Sequence, residues 1–466
     1  MSRINTNVSS LIAQRVLNTN EEALNKSLER LSTGLKINSG GDNPAGLIAS
    51  ENLRAEKTGI SQAIDNANRA SNIIGTAEGG LNEVSSLLTE LQSLVSASAN
   101  SGGLSNEEVQ ANQLQVDSIL STINRIAQST AFQGKKLLNG NYAYTTSGVN
   151  STSFDNVQVN AARVPDGGSV NVVVQITASA QTGKITYTGG ALNGNVTIEV
   201  AGNTGTEQLS FSSSTTVSSI AAAINSVKTA TGVSATISGG NLAVNSIAYG
   251  ADQFVSLKTI AGTFSPSTTK DYGRNAAVTI NGAQAQASGK SISFRNSNLD
   301  IEFDLDSTFN KAGTGSFNVT GGGATFALGE KVTEADKASI GIASVSTGSL
   351  GDSTNGYLSA LASGGTAALD SNNLSTAQSI VDKAIKQVSQ LRGRLGAFQK
   401  FTIGSTINSL GIAFENASAA ESAIRDTDFA QETANLTRNQ ILAAAATTVL
   451  AQANASPQAA LTLLGR

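Results

Sequence analysis

Apolar residues recur at alternating spacings of three and four along both ends of the chain, and this repeat constrains the fold more than any other feature. The longest run comprises Ala77, Leu81, Val84, Leu88, Leu91 and Val95. A second run extends from Val381 to Phe398 near the other end. One such run fits an ordinary amphipathic helix on a globular core, but runs at both ends favour helices that pack along shared apolar seams. The pattern therefore predicts an antiparallel helical bundle built from both chain ends.

The middle of the chain has a different composition. Residues 142–370 hold 29 of the 46 glycines, and no aromatic residue precedes Phe132. Alternating apolar residues between glycine-containing turns are typical of β-hairpins. The predicted elements are hairpins at 195–211 and 235–244, a helix at 217–227, and a hairpin-like pair at 277–280 and 301–305. The predicted fold class is α+β: a long antiparallel helical or coiled-coil bundle from both chain ends, with an inserted β-rich outer region of one or two small domains.

Composition excludes several classes of function. The chain has no Cys, His or Trp, so it has no disulfide, no thiol nucleophile and no imidazole base, and we expect no catalytic, metal-binding or cofactor-binding residues. With 30 basic and 34 acidic residues the net charge is −4, which gives no electrostatic footprint for nucleic acid or anionic lipid. No apolar stretch fits a secretory signal peptide or a membrane span. We therefore expect a non-enzymatic chain without nucleic-acid or membrane partners.

Three short motifs have structural interpretations that are simpler than their catalytic ones. The stretch Gly40–Gly46 lacks the Lys of a phosphate loop and is interpreted as a helix interruption, with Pro44 opening the next helix. Arg392 and Arg394 have no basic field around them, which favours a solvated or salt-bridged helix face. Asp428, three residues before Gln431, fits a helix N-cap better than an acid–base pair.

The two extreme ends are unusual for a globular protein. Residues 439–465 contain no charge, and residues 4–37 supply apolar partners for them. Burial against other copies of the chain would suit a segment that is too polar for lipid and too uncharged for solvent. The predicted assembly seams comprise Ile4, Val8, Leu11, Leu24, Leu28, Leu31, Leu35, Leu442, Val449, Leu450, Leu461 and Leu464. The predicted rod seam comprises Leu81, Val84, Leu88, Leu91, Val95, Val388, Leu391 and Leu395.

Sequence motifs at both ends resemble those of bacterial flagellin, the filament subunit of the flagellum. The motifs are INTNVSSL at 4–11, LERLSTGL at 28–35, GGDNPAGL at 40–47, LRGRLGAFQ at 391–399 and IRDTDFA at 424–430. A weaker resemblance links 190–236 to a small repeat inserted in many flagellins and hook-associated proteins. The resemblance implies an exported, extracellular subunit that polymerises with itself into the flagellar filament and serves motility. It also implies the flagellar type III export apparatus, an export chaperone and the filament cap as partners.

The resemblance further implies three regions. Residues 1–43 with 427–466 would form an inner terminal coiled coil, and 44–141 with 375–426 a helical rod. Residues 142–374 would form the outer insert, with a hook-type repeat-like subdomain at 186–255 and a second β subdomain at 256–335. Two alternatives remain at this point: a hook–filament junction protein, which shares the terminal pattern, and a secreted adhesin acting through 142–374.

Family members that stimulate Toll-like receptor 5 carry an arginine-containing stretch on a rod helix. The matching positions here are Leu88, Glu90, Gln92 and Leu94. Leu88 and Leu94 fit the family pattern, whereas Glu90 and Gln92 stand where arginines are usual. The resemblance therefore implies weak or absent recognition by this receptor.

Overall fold

The helices lie at the two ends of the chain, and the strands lie between them. The computed structural model describes residues 6–100, 103–165, 167–371 and 373–464, with side-chain surroundings up to residue 456. The helices are α1 (Val8–Thr33), α2 (Pro44–Ser98), α3 (Asn106–Ser129), α4 (Val217–Ser226), α5 (Lys228–Thr231), α6 (Leu374–Ala397), α7 (Ser405–Arg425) and α8 (Phe429–Leu464). A π-helical segment, Phe398–Gly404, joins α6 to α7, and 3₁₀ turns cover Glu334–Asp336 and Leu358–Leu361. The predicted α+β class, with helical ends and a β-rich insert, is confirmed.

Strands occupy the chain between α3 and α6. In order they are β1 (Ala131–Phe132), β2 (Lys135–Lys136), β3 (Tyr144–Ser147), β4 (Phe154–Ala162), β5 (Val170–Ala178), β6 (Lys184–Tyr187), β7 (Val196–Gly202), β8 (Thr206–Phe211), β9 (Val233–Ser238), β10 (Asn241–Ser246) and β11 (Phe254–Ala261). They continue with β12 (Lys270–Tyr272), β13 (Ala277–Ile280), β14 (Ala283–Gln284), β15 (Gln286–Ser288), β16 (Ser291–Arg295), β17 (Leu299–Leu305), β18 (Gly313–Gly322), β19 (Ala324–Ala327), β20 (Lys337–Ile340), β21 (Gly351–Asp352) and β22 (Gly356–Tyr357).

The chain divides into two compact units. The first comprises 1–68, 327–336 and 404–466, and the second comprises 69–326 and 337–403. The resemblance to flagellin implies a boundary between an inner region and a rod at residue 44, which stays an expectation. Helix α2 runs without a break from Pro44 to Ser98 and contributes residues to both units.

Within the second unit, the later part of α2 packs with α3 and α6. The fully or nearly fully buried side chains are Leu81, Val84, Leu88, Leu91 and Val95 on α2, Val116, Leu120 and Ile123 on α3, and Val388, Leu391 and Leu395 on α6. Arg392 Nε donates to Glu78 Oε1 at 2.8 Å, and Gln92 Nε2 donates to Asp382 Oδ1 at 3.0 Å. From the first contact to the second, the residue number rises on α2 and falls on α6, so the two helices are antiparallel. Arg392 thus lies on a salt-bridged helix face, as the sequence indicates.

The β-rich insert contains two hydrophobic cores. The smaller core lies between the sheet β6-β10-β9, the sheet β12-β11-β7-β8 and helix α4, and all strand pairs are antiparallel. The predicted hairpins at 195–211 and 235–244 are confirmed as β7–β8 and β9–β10. Gly239 and Gly240 have φ of 58° and 80° in the second turn, a conformation that glycine adopts without steric cost. The helix predicted at 217–227 is confirmed as α4.

The larger core lies between the sheet β14-β13-β5-β18-β3 and the sheet β15-β16-β17-β4. Here the structure corrects two expectations. Residues 277–280 and 301–305 do not pair with each other, because β13 pairs with β5 and β14, whereas β17 pairs with β16 and β4. The subdomain expected at 256–335 is not a contiguous piece, because its strands need partners from 144–178. Pairing between such distant segments leaves no local mark in the sequence.

Candidate assembly surface

Helices α1 and α8 form an antiparallel pair within the first unit. Small and polar residues recur along the pair at intervals of seven and include its buried positions, while half-buried leucines alternate with them. On α1 these positions are Ala13, Asn20 and Ser27, and on α8 they are Glu432, Asn439, Ala446 and Ala453. Of these, Ala13, Ser27, Glu432 and Ala446 are buried, and the others are half-buried. Small side chains let the two backbones approach closely.

Polar side chains connect the two helices along their length. Asn7 Nδ2 donates to Ala453 O at 2.7 Å, and Asn20 Nδ2 donates to Leu442 O at 3.3 Å. Asn439 Nδ2 donates to Ala23 O at 3.2 Å and to Ser27 Oγ at 3.1 Å. At the far end Arg30 lies 3.7 Å from the carboxylate of Glu432. A polar residue at a seam position fixes the register of paired helices at some loss of stability.

Many large apolar side chains of the pair lie outside this line of small and polar residues and are exposed. Leu11 and Val449 are each 59% exposed, and Ile441 is 64% exposed. The other exposed large apolar residues on these two helices are Val8, Ile12, Val16, Leu28, Phe429 and Leu442. Large apolar side chains left exposed in such number on one helix pair are typical of an interaction site. We call the exposed apolar residues of α1 and α8 the terminal apolar face.

The predicted assembly residues occupy two kinds of position. Val8, Leu11, Leu28, Leu442 and Val449 belong to the terminal apolar face, while Leu24, Leu31, Leu35 and Leu450 are half-buried. Ile4 and the side chains of Leu461 and Leu464 lie outside the described residues. The line of small and polar residues was missed, although its spacing of seven is legible in the sequence.

The segment between α1 and α2 fixes the end of the pair. Gly34, with φ of 72°, caps α1, and an isolated β-bridge joins Leu35 to Asp426. Asp42 accepts hydrogen bonds from the backbone of Asn38 and Ser39, and its Oδ1 lies 2.7 Å from Lys26 Nζ on α1. The Lys26 contact and these backbone N–H groups hold the pKa of Asp42 well below its ordinary 3.8.

Two helices begin where the sequence predicts, α2 directly after this loop and α8 directly after Asp428. Helix α2 begins at Pro44, where Asn43 Oδ1 accepts from the backbone of Gly46 at 2.9 Å. Helix α8 begins after Asp428, whose Oδ1 accepts from the backbone of Ala430 and Gln431 at 2.9 and 3.1 Å. Both motifs are helix interruptions or caps.

The residues of the expected receptor patch do not share one surface. Leu88 is fully buried in the rod, so it presents no side chain to a receptor. Glu90 is exposed, whereas Leu94 and Gln92 are half-buried, and Gln92 is engaged with Asp382. Leu88 belongs to the 3-4 seam of α2, and this seam is part of the rod core.

Among the residues that the structure describes, no group of three or more acidic side chains is placed to hold a metal ion. No helix in the described ranges is long and apolar enough to cross a membrane.

Family comparisons match both helical ends and part of the insert. Residues 4–143 match the bacterial flagellin N-terminal helical region, and 378–464 match the C-terminal helical region. Residues 195–248 match the flagellin hook IN motif, within the 186–255 range expected for a hook-type repeat.

Relatives of similar length match across the whole chain. Flagellin B of Vibrio cholerae is 32% identical over 99% of both chains, and the B-type flagellin of Pseudomonas aeruginosa is 31% identical with the same coverage. The solved structure of FliC from Burkholderia pseudomallei aligns with 71% of this chain and 99% of its own at 17% identity, with a TM-score of 0.25. Whole-chain relatives named as flagellins do not favour a junction protein or an adhesin. The chain belongs to the bacterial flagellin family and is a structural subunit of the flagellar filament, which serves motility.

Proposed function

We propose that the terminal apolar face is the surface through which subunits polymerise. The observation that carries this proposal is the burial pattern of the α1–α8 pair, whose fully buried positions are small or polar while many of its large apolar residues are exposed to solvent. Burying a Leu, Ile or Val side chain stabilises an assembly by about 1.5–3 kcal/mol. Contact with other copies of the chain would bury the terminal apolar face. It would also stabilise the α1–α8 pair, since two helices whose fully buried positions are small or polar are marginal in water.

The remaining partners and the location of the subunit follow from family membership. We propose that the chain leaves the cell through the flagellar export apparatus with the help of an export chaperone. It would then assemble extracellularly beneath the filament cap, with no enzymatic activity. Recognition by Toll-like receptor 5 would be weak or absent, because the exposed residue of the expected patch is the acidic Glu90.

The regional organisation is proposed in the same terms. Residues 1–43 with 427–466 would lie in the inner part of the filament and carry the terminal apolar face. The rod would surround them, and the β-rich insert would lie outermost. The rod seam would hold each subunit together, and the terminal apolar face would join subunits to one another.

A matched pair of substitutions tests the assembly surface. Ile441→Asp places a carboxylate in the terminal apolar face, whereas Ile247→Asp makes the same change at a residue of the insert that is 52% exposed. We expect Ile441→Asp to abolish filaments in seeded polymerisation viewed by electron microscopy, because an unpaired carboxylate would have to be buried. Ile247→Asp should polymerise normally. Normal filaments from Ile441→Asp would refute the assignment of the surface.

A further inference from the structure

The chain contains four Asn-Gly pairs, at residues 139, 193, 281 and 355. The pair at 193 differs from the other three in its hydrogen bonding. An asparagine followed by glycine is prone to spontaneous deamidation. The backbone nitrogen of the following residue attacks the asparagine side chain, and glycine has no side chain of its own to hinder this attack. Attack requires a side-chain amide that is free to turn and a backbone nitrogen that is free to react. Local hydrogen bonds therefore decide which of the four pairs reacts.

Three of the pairs are held in place. Asn281 Oδ1 accepts from the backbone of Val173 at 2.8 Å, and its Nδ2 donates to Asn171 O at 3.1 Å. Asn355 Nδ2 donates to both carboxylate oxygens of Asp352, at 3.2 and 3.3 Å. Asn139 is half-buried, and its Oδ1 accepts from the backbone of Asn141 at 3.1 Å. Each amide must break these bonds before it can react.

The pair Asn193–Gly194 has none of these restraints. Both residues are exposed, and within the described chain neither the Asn193 amide nor the Gly194 nitrogen makes a hydrogen bond. The loop is anchored just before the pair, where Leu192 is buried and exchanges backbone hydrogen bonds with Ser214 and Thr215. A Cβ built on Gly194 meets no atom within 4 Å, so the space needed for ring closure is open.

We propose that Asn193 is a spontaneous deamidation site in the folded chain, with water as the co-reactant. The backbone nitrogen of Gly194 bonds to Cγ of Asn193, the Cγ–Nδ2 bond breaks, and the Gly194 amide proton leaves with Nδ2 as ammonia. Water then adds to either carbonyl carbon of the cyclic imide and reopens it to aspartate or isoaspartate. The net change consumes one water, releases ammonia and involves no oxidation. It gives the subdomain bearing the hook-type repeat an additional negative charge.

Peptide mapping by mass spectrometry during incubation of the full chain at neutral pH tests the proposal. Asn281 must break two side-chain hydrogen bonds before ring closure, so we expect Asn193 to deamidate on the order of tenfold faster than Asn281 in the folded chain. In denaturant, where these hydrogen bonds are lost, the rates at the four pairs should converge. Equal folded-state rates at Asn193 and Asn281, or the same excess at Asn193 in denaturant, would overturn the proposal.

Two glycine variants supply a matched control. Gly194→Ala and Gly190→Ala both add a methyl group to open space in the same loop, so neither should perturb folding. Gly194→Ala should slow deamidation at Asn193 several-fold, because the methyl group hinders the attacking nitrogen. Gly190→Ala should leave the rate unchanged. Equal rates in the two variants would show that reaction at Asn193 does not proceed through the Gly194 nitrogen.

Discussion

Truncation of Leu395 tests whether the two chain ends share one rod core. Leu395 is fully buried on α6, and the contacts Glu78–Arg392 and Ser71–Gln399 place it at the level of Ile74, which is also fully buried. Leu395→Ala removes apolar atoms from a site that rigid helices surround, so the cavity would collapse only partly. We expect the free energy of unfolding to fall by about 2–5 kcal/mol.

Leu114 provides the matched control, because it lies on α3 in the same unit and is 69% exposed. Leu114→Ala should change the free energy of unfolding by less than about 0.5 kcal/mol. Denaturant titration of the free subunit, followed by circular dichroism, measures both variants against the parent chain. If the two variants lose the same stability, or if Leu395→Ala loses none, the pairing of α6 with α2 is wrong.

Three further predictions concern the terminal pair, the loop after α1 and the insert. Asn439→Ala removes both hydrogen bonds to α1 and should weaken the pair in filaments by about 1–3 kcal/mol, measured as faster amide exchange in α1. Thr437→Ala is the control and should leave amide exchange in α1 unchanged, because the Thr437 hydroxyl donates to Thr433 O of its own helix. Because the pKa of Asp42 is lowered on folding, its stabilisation is present above its ordinary pKa of 3.8 and declines as pH falls below that value. Thermal melts should therefore show Asp42→Asn less stable than the parent at pH 7, and this difference should shrink below pH 3.8. A stability difference that does not change with pH would contradict the ion-pair explanation. Replacing 182–273 by a short turn should preserve filaments in electron micrographs, because the flanking residues are already joined by a β-bridge, while loss of filaments by a folded variant would make this subdomain part of the assembly.

The sequence predicts the rod well because helix packing leaves a periodic signal. Every residue of the predicted rod seam, from Leu81 to Leu395, is buried, and the short hairpins β7–β8 and β9–β10 appear where turn chemistry places them. The larger sheet of the insert could not be predicted, because β5 pairs with β13 and β18 across long stretches of intervening chain. The tendency of each segment to form a strand is set by its own residues, but the strand with which it pairs lies far away in the sequence.

The terminal pair shows a second limit of sequence reasoning. The spacing of the large apolar residues suggests that leucines fill the interface between α1 and α8. The fully buried positions there include Ala13, Ser27 and Ala446, while Leu24, Leu31 and Leu450 are only half-buried. Leu11 and Val449 face solvent. A 3-4 pattern identifies an apolar face but does not state whether the face meets a helix of the same chain or another subunit. The seven-residue spacing of small and polar residues carries that information.

Amide hydrogen exchange in the free subunit and in the filament tests most directly the claim that assembly completes the burial of the termini. In the free subunit we expect α1 and α8 to exchange within seconds, because the large apolar side chains described along their interface are at most half-buried. The α6 rod helix should be protected in both states and serves as the internal reference. In the filament α1 and α8 should become as strongly protected as α6. Equal protection of α1 and α8 in the free subunit and the filament would contradict the account, since the pair would then be stable without its neighbours.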